Sequence, residues 1–574
     1  MSKLSVDQQT IGGLFKDKKT DFLIPDYQRP YAWGEKECQT LWDDIFSFAF
    51  PDGNSDKFNS DMDEYFLGPI VTFQNNGKKE VIDGQQRLTT LLLLLRAFYD
   101  AFEQQKDDAS IKTRSNIAKC IWKTDEYETP LMTFLKIDSQ VATDNDKEEF
   151  LNILKTGEIH KENKSKYAQN YRFFQEKIKD LKDKYPTYVA PFPMRVMNNC
   201  ILLPIEADTQ DTALRIFSTL NDRGKPLADA DIFKAQFYKY YSEKNQKDEF
   251  IKEWKNLEEK TDKIFDGTGY SMDELFTQYM YYERAKKGIS SSTTEALRKF
   301  YEQGKYELLR NDTTFSNLQL LAQFWEDVSR QNSDKFDEKV LKKLYILNYA
   351  PNGMWSYFTS VYFMHNKDDK GNLNNEYFYN FLKKIIAFIF AYAITNPGVN
   401  ALRTPVYAEM IKIINGKEVN FSDFKFDKSK LKNSLENYVF SNNRTITRSL
   451  LTWWMFEKEN QSLPFIDTKF EIEHIFAKNR QDKEGSLSDK KYLEVLGNKV
   501  LLEKRINIRA SDYRFSDKKK YYIGEIKQKE KTCVSELLEL SNQDDFNEKD
   551  IIIRNQKIID TFIDYLKKED LLID

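Results

Sequence analysis

The chain has 574 residues, of which 40% are hydrophobic and 14% aromatic, enough for about three or four well-packed globular domains. Charged residues make up 31% of the chain but nearly cancel to a net charge of −4. The chain as a whole is therefore not basic enough to indicate a nucleic-acid-binding protein, and any nucleic-acid-binding surface has to be local.

The four cysteines lie far apart in the sequence and form neither a metal-binding pattern nor a disulfide framework, which is typical of a reducing cytosol. The N-terminus is polar, and the apolar runs Leu91–Leu95 and Ile385–Ile394 are short for a bilayer. We therefore expect a cytoplasmic protein that does not engage a membrane.

The first part of the chain mixes short strands with helices. Strands are predicted over Tyr65–Phe73 and Glu80–Ile82, and the Asn-Asn-Gly sequence between them predicts a hairpin turn. A helix is predicted from Gln85 to about Gln105, residues 106–170 are predicted to be helical with loops, and Asn199–Ile205 is predicted to be a strand.

A polar motif stands where the second strand meets the helix. The strand ends at Asp83, Gly84 permits a tight turn, and the free N–H groups of the helix start suit a phosphate. Arg87 adds a bidentate charge, Thr89 and Thr90 add hydroxyls, and Asp83 is a candidate to hold Mg²⁺ or orient water. A capped structural helix is an equally good interpretation of these residues, and no Walker motif is present.

From about residue 211 to 450 the pattern is almost wholly helical, with sparse Gly and Pro. We predict a mostly helical α+β protein with an α/β N-terminal domain over residues 1–240, a helical connector over 241–440 and a small C-terminal domain over 441–574.

Four N-terminal segments resemble the ParB/sulfiredoxin-like domain of GmrSD-type, modification-dependent restriction enzymes: Tyr27-Gln28-Arg29-Pro30-Tyr31-Ala32-Trp33, Tyr65–Ile70, Asp83-Gly84-Gln85-Gln86-Arg87-Leu88-Thr89-Thr90 and Arg215–Leu227. In that family this domain binds and hydrolyses a nucleoside triphosphate. The resemblance implies nucleotide binding by Tyr27, Gln28, Arg29, Asp83, Gly84, Gln85, Gln86, Arg87, Thr89 and Thr90. Asn221 and Arg223 are further candidates for nucleotide contact, or only cap and turn a helix.

The densest polar constellation lies near the C-terminal end, in Glu471-Ile472-Glu473-His474-Ile475. A short strand is predicted over Lys469–Phe476, a second over Gly497–Leu502, and Asn507 then opens a loop or helix. Histidine can activate water, and carboxylate and amide oxygens suit Mg²⁺ or Mn²⁺. In a regular strand His474 points away from Glu473, so one metal can meet both only if the strand ends or bulges there.

This segment resembles the ββα-metal (HNH) nuclease family. The resemblance implies that Glu473 and Asn507 bind the metal, His474 is the general base and Asn498 orients it, with Glu471 assisting at the metal. Ala477 departs from the pattern, which has proline at that position. The alternative is a surface pair of His474 and its neighbouring carboxylate.

Eight Lys and Arg residues against three acids give residues 499–520 a local net charge of +5. Beside a phosphodiester site this pattern predicts contacts with DNA phosphates, although a solvated helix face has the same composition. The predicted contact residues are Lys499, Lys504, Arg505, Arg509, Lys518 and Lys519.

Together the two resemblances imply an NTP-regulated, Mg²⁺- or Mn²⁺-dependent DNA endonuclease that nicks or cuts foreign, modified DNA in antiphage defence. The expected partners are phage or modified DNA, a nucleoside triphosphate of unspecified base, and a second copy of the chain in a homodimer. Two alternatives stay open: a nucleotide-gated DNA sensor with a vestigial nuclease, and an RNase.

Overall fold

The fold follows from a computed structural model of the chain. It describes all residues except 1–3, 19, 142–143, 160–161, 211, 214–215, 217–227, 266–270, 292, 399, 512–513, 527–529 and 574. The chain divides into two compact units, Met1–Lys255 and Asn256–Asp574. The predicted division into three domains stays a prediction.

The first unit is built on a mixed sheet. Its strands, in chain order, are β1 (Leu4–Val6), β2 (Gln9–Thr10), β3 (Phe22–Ile24), β4 (Tyr65–Asn75), β5 (Lys78–Asp83), β6 (Trp122–Thr124), β7 (Pro130–Leu135), β8 (Ile137–Ser139) and β9 (Cys200–Ala207). The sheet order is β1-β9-β4-β5-β3-β8, with β2 also paired to β9, while β6 and β7 form a separate pair. The β4–β9, β5–β3 and β3–β8 pairs are parallel.

The helices of this unit cover the sheet and each other. They are α1 (Ile11–Lys16), α2 (Glu35–Ala49), α3 (Gln85–Ala101), α4 (Asp108–Ile121), α5 (Lys147–Thr156), α6 (Lys166–Lys184), α7 (Pro191–Asn199), α8 (Asp229–Glu243) and α9 (Lys247–Ile264), the last of which runs across the boundary between the units. Helix α3 is the centre of the core, because its leucines from Leu88 to Leu95 are all buried.

The predicted hairpin and helix are confirmed. Asn76 and Gly77 both have positive φ, 49° and 78°, as a two-residue hairpin turn between β4 and β5 requires. Gly84, with φ 93°, is the left-handed residue that lets the chain turn from β5 into α3. Strands β6, β7 and β8 lie in the region that was predicted to be helical with loops. The sequence does not reveal them, because β6 and β8 have three residues each and β7 is largely exposed, so none shows a hydrophobic period.

The second unit is mainly helical, as predicted. Its helices are α10 (Ser271–Lys286), α11 (Leu297–Glu302), α12 (Asp312–Ser329), α13 (Glu338–Leu347), α14 (Met354–Asn366), α15 (Asn375–Thr395), α16 (Arg403–Ile414), α17 (Lys428–Glu436), α18 (Thr445–Met455), α19 (Lys478–Glu484), α20 (Lys504–Ala510), α21 (Phe515–Tyr522), α22 (Ser535–Leu540) and α23 (Glu548–Lys568). Among the described residues of this unit, the short strands are β10 (Phe426–Asp427), β11 (Phe470–His474), β12 (Lys499–Glu503) and β13 (Leu572–Ile573).

One of these helices contains the apolar run predicted to be too short for a membrane. Helix α15 is 21 residues long and, by length and composition alone, apolar enough to cross a bilayer. Within the protein, 61% of the apolar stretch of this helix is buried, as is typical of a core helix.

Candidate functional site

The C-terminal motif lies on two antiparallel strands followed by a helix. Strands β11 and β12 pair so that His474 lies opposite Lys499 and Glu473 opposite Val500. Helix α20 begins directly after β12 and carries Asn507 in its first turn. Because side chains alternate along a strand, Glu471 and Glu473 share one face of β11, and His474 lies on the other.

The face with His474 holds a small ionic cluster. The Lys499 ammonium lies 3.1 Å from Nε2 of His474 and donates to Glu494 Oε2 at 2.8 Å and to Asn442 Oδ1 at 2.5 Å. Glu494 Oε1 also pairs with the exposed Lys478 at 2.6 Å. Burial lowers the pKa of His474 to about 3, and the charges of Lys499 and Lys478 act in the same direction. The imidazole is therefore neutral near pH 7.

Glu473 lies on the opposite face, against helix α21. Its Oε1 accepts hydrogen bonds from Lys518 Nζ at 2.7 Å and from the Tyr522 hydroxyl at 3.0 Å. The same ammonium donates to the His474 carbonyl at 2.7 Å, so one buried lysine fixes both residues at the strand end. Burial raises the pKa of Glu473 above its usual range, and Lys518 and Tyr522 oppose that shift.

Glu471 and Asn507 meet on the face that carries Glu473. The Asn507 amide donates to Glu471 Oε2 at 2.9 Å, and Lys504 lies 3.6 Å from Oε1. In the described part of the chain, no group of three or more His, Cys, Asp or Glu is placed to hold a metal. The donor chemistry of this face still fits a hard divalent cation, with two carboxylates and the Asn507 amide oxygen as ligands.

Asn498 is fully buried, and its side chain forms hydrogen bonds with the backbone. Its Oδ1 accepts from the Phe476 N–H at 2.7 Å, and its amide donates to the Phe476 carbonyl at 3.2 Å. The Asn498 carbonyl also accepts from the Ile475 N–H at 2.9 Å. Its contacts thus fix the two residues that follow His474.

Helix α23 supports the turn that carries Asn498. The Arg554 guanidinium donates to the carbonyls of Leu496, Gly497 and Lys499 at 2.8, 3.0 and 2.8 Å. The buried Glu536 binds it through both carboxylate oxygens, at 2.9 and 2.8 Å. A Cβ on Gly497 would lie 2.2 Å from a backbone oxygen of α23, so only glycine permits this approach.

Most polar side chains of the N-terminal motif form hydrogen bonds with backbone groups. Five of its members besides Arg87 are bonded within the fold. The Gln28 amide donates to the Val81 and Ile82 carbonyls, and the Gln85 amide donates to the Arg29 carbonyl. The Gln86 amide donates to the Pro30 carbonyl, and its oxygen accepts from the Ala32 and Trp33 N–H groups. The Tyr27 hydroxyl donates to Glu80, and the Thr90 hydroxyl bonds with that of Tyr31. Thr89 is 2% exposed. These contacts join the Tyr-Gln-Arg segment to the start of α3.

Three charged groups of the motif stay near the surface at the start of α3. Arg29 is exposed, and Asp83 and Arg87 are half-buried. Burial raises the pKa of Asp83, which Gly84, Arg87 and Arg29 oppose, and burial lowers the pKa of Arg87. Arg87 donates to the Pro69 carbonyl at 2.8 Å and fills the space beside Gly68. Asn221 and Arg223 lie outside the described residues.

Family comparisons identify the chain at the level of its two ends. Residues 11–238 match the N-terminal domain of the GmrSD restriction endonuclease, and residues 425–561 match the C-terminal domain of GmrSD restriction endonucleases. The chain belongs to the GmrSD restriction endonuclease family. No curated protein is similar enough to be matched. Family membership implies a DNA endonuclease of restriction defence, an enzyme class that is generally metal-dependent.

In this family member, the basic strip predicted to contact DNA is only partly at the surface. Lys499 and Lys518 are 0% and 1% exposed and are paired with carboxylates. Lys519 is half-buried and donates to the Gln543 carbonyl at 2.6 Å. Of the predicted contact residues, those at the surface lie on helix α20: the exposed Lys504 and Arg505 and the half-buried Arg509.

Several residues that shape the GmrSD C-terminal site escaped the sequence analysis. They are Asn442, Glu494, Tyr522, Glu536 and Arg554. Each is remote in sequence from the motif it contacts or stands in an unremarkable local pattern. The contact between His474 and Lys499 was also missed, although the strand register that pairs these two residues could have indicated it.

Proposed function

We propose that the chain is a metal-dependent DNA endonuclease whose reaction centre is His474, on a ββα-metal (HNH-type) arrangement of β11, β12 and α20. The observation that carries the proposal is a partly exposed imidazole at the end of β11, with hard oxygen ligands on the other face of the same strand. A neutral imidazole can accept a proton from water, and the oxygen face suits a divalent cation.

The residues would divide the work between the two faces of β11. His474 takes a proton from the attacking water. Asn507, Glu471 and Glu473 would hold Mg²⁺ or Mn²⁺, which when bound supplies positive charge to stabilise the phosphate and its leaving oxygen. Asn498 fixes the backbone after His474, and Lys504, Arg505 and Arg509 would contact flanking phosphates.

The N-terminal region would have a ParB/sulfiredoxin-like fold and would bind and hydrolyse a nucleoside triphosphate that regulates cleavage. Arg29, Asp83 and Arg87 support this role: Asp83 and Arg87 lie at the start of α3, where helix N–H groups suit a phosphate, and the Arg29 carbonyl accepts from Gln85 in the same turn. The glutamines of the motif would build the site rather than contact the nucleotide, since their amides already bind main chain. The substrate would be foreign, modified DNA, cut in antiphage defence.

The test is a cleavage assay with the purified full chain on modified phage DNA, unmodified DNA and RNA, with Mg²⁺ or EDTA and with each NTP. We expect Mg²⁺-dependent cleavage of DNA that falls by roughly 100-fold or more in His474→Ala, because a general base is lost. The matched control is His365→Ala, an exposed histidine on α14.

The other outcomes identify the alternatives. DNA binding without cleavage under any condition would indicate a sensor with a vestigial nuclease. Preferential cleavage of RNA would indicate an RNase. Equal activity of the His474→Ala and His365→Ala proteins would move the reaction centre elsewhere.

A further inference from the structure

Lys499 contacts the ring of His474, and Glu494 Oε1 lies 3.7 Å from the same ring nitrogen, Nε2. Lys499 stands directly opposite His474 in the β11–β12 register, and its ammonium lies 3.1 Å from Nε2. It is 0% exposed, so its surroundings are wholly protein. The Asn498 side chain, which the motif predicts to orient the histidine, binds the backbone of Phe476 and the Leu493 carbonyl.

The contact has a definite direction. A lysine ammonium has three N–H donors and no acceptor, so Nε2 of His474 can only accept at this distance. The other two donors meet Glu494 Oε2 at 2.8 Å and Asn442 Oδ1 at 2.5 Å. All three donors are therefore used, and before the reaction the ammonium is held beside the ring. A neutral imidazole that accepts at Nε2 carries its proton on Nδ1.

We propose that Lys499 is the positioning residue of His474: through Glu494 and Asn442 it fixes the ring orientation and selects the Nδ1–H tautomer, which leaves the lone pair on Nε2. The role of Lys499 in catalysis rests on the proposed nuclease function. The tautomer of His474 does not depend on that function. Lys499 would then act on the histidine and not as an exposed contact to DNA phosphates.

The arrangement also defines what happens at Nε2 during the reaction. A water that reacts there gives its proton to Nε2, and the ring becomes doubly protonated. That water has to replace the ammonium at this nitrogen. Glu494 and Asn442 keep Lys499 beside the ring when it does so, because they bind the ammonium independently of the histidine.

The tautomer can be measured in the full-length protein. The chain has three histidines, so ¹⁵N-histidine labelling gives at most three ring systems, and His474→Ala assigns one of them. We expect a protonated Nδ1 and an unprotonated Nε2 for His474 in the wild type. A wild-type ring with its proton on Nε2 would overturn the proposal without any variant.

Lys499→Met removes the donor, and Lys499→Arg is the conservative replacement. Lys478→Met is the matched control, because Lys478 pairs with the same Glu494 at 2.6 Å and has no hydrogen bond to the His474 ring. We expect Lys499→Met to shift His474 to a mixture of tautomers, Lys499→Arg to restore Nδ1–H at least in part, and Lys478→Met to match the wild type. An unchanged His474 spectrum in Lys499→Met contradicts the proposal.

Cleavage kinetics give the second readout. For a positioning residue we expect Lys499→Met to lower kcat by about 10- to 100-fold with little change in KM. A rise in KM with kcat unchanged would make Lys499 a substrate contact and overturn the assignment. If neither the wild type nor Lys499→Met cleaves DNA, the nuclease proposal fails, and the NMR result still decides whether Lys499 sets the tautomer.

Discussion

The two polar motifs of this chain look equally dense in sequence, but their side chains are used differently. In the N-terminal motif, Gln28, Gln85 and Gln86 bind main-chain groups, and Thr90 is buried against Tyr31. In the C-terminal motif, His474 and Asn507 keep polar atoms at a partly exposed site. A long motif can therefore serve mainly to hold a fold together, while a shorter one keeps polar atoms accessible to a ligand.

The difference between the two motifs is most strongly tested on the face of β11 that carries Glu471 and Glu473 and meets Asn507. Asn507→Ala and Glu471→Ala each remove an oxygen ligand, and we expect each to raise the Mg²⁺ concentration for half-maximal cleavage by roughly 100-fold, since a bound cation stabilises charge by several kcal/mol. Glu473→Ala is a poorer probe, because it leaves the buried Lys518 unpaired.

The measurement is a Mg²⁺ titration of cleavage, with DNA affinity measured separately. Variants that need no more Mg²⁺ than the wild type would show that this face does not bind the metal.

Arg87 tests whether the N-terminal motif has any ligand role beyond its structural bonds. Arg87→Ala removes a guanidinium at the start of α3, and we expect nucleotide affinity to fall by about 1.5–3 kcal/mol, the range for hydrogen bonds to charged groups. Calorimetry with each NTP measures this change.

The matched control is Thr90→Val in the same helix, since Thr90 is 0% exposed and its hydroxyl bonds only within the fold. A loss of affinity as large in Thr90→Val as in Arg87→Ala would break the distinction between structural and ligand-binding residues.

Gln86 gives the smallest effect, and it should be local. Its side-chain oxygen accepts from the N–H groups of Ala32 and Trp33, at 2.7 and 3.2 Å. Gln86→Ala leaves these groups without that partner, which costs about 1–3 kcal/mol. We expect faster hydrogen exchange at both amides. Gln104→Ala, an exposed glutamine just after α3, should leave their protection unchanged; equal exchange in both variants would contradict the structural role.

The sequence predicts the elements whose signals are local. The β4–β5 hairpin follows from its Asn-Gly turn, and α3 follows from its leucines and Gly84. Strands β6 to β8 were missed, because β6 and β8 have only three residues, β7 is mostly exposed, and all three are defined by their partners.

The same limit applies to the candidate site. The Glu473-His474 pair and Asn507 are visible as a motif, but the contacts that tune them are not. Lys499 reaches His474 through strand register, and Arg554 reaches the Asn498 turn from 55 residues further along the chain. Such contacts depend on tertiary packing, which no local pattern encodes.

The most direct test of the central claim, that His474 supplies the base, is chemical rescue. His474→Gly removes the imidazole, and we predict that cleavage of DNA is lost and then restored in proportion to added imidazole, while Asn507→Ala is not restored. Cleavage by His474→Gly at the wild-type rate without imidazole, in a chelator-controlled assay, would contradict the account.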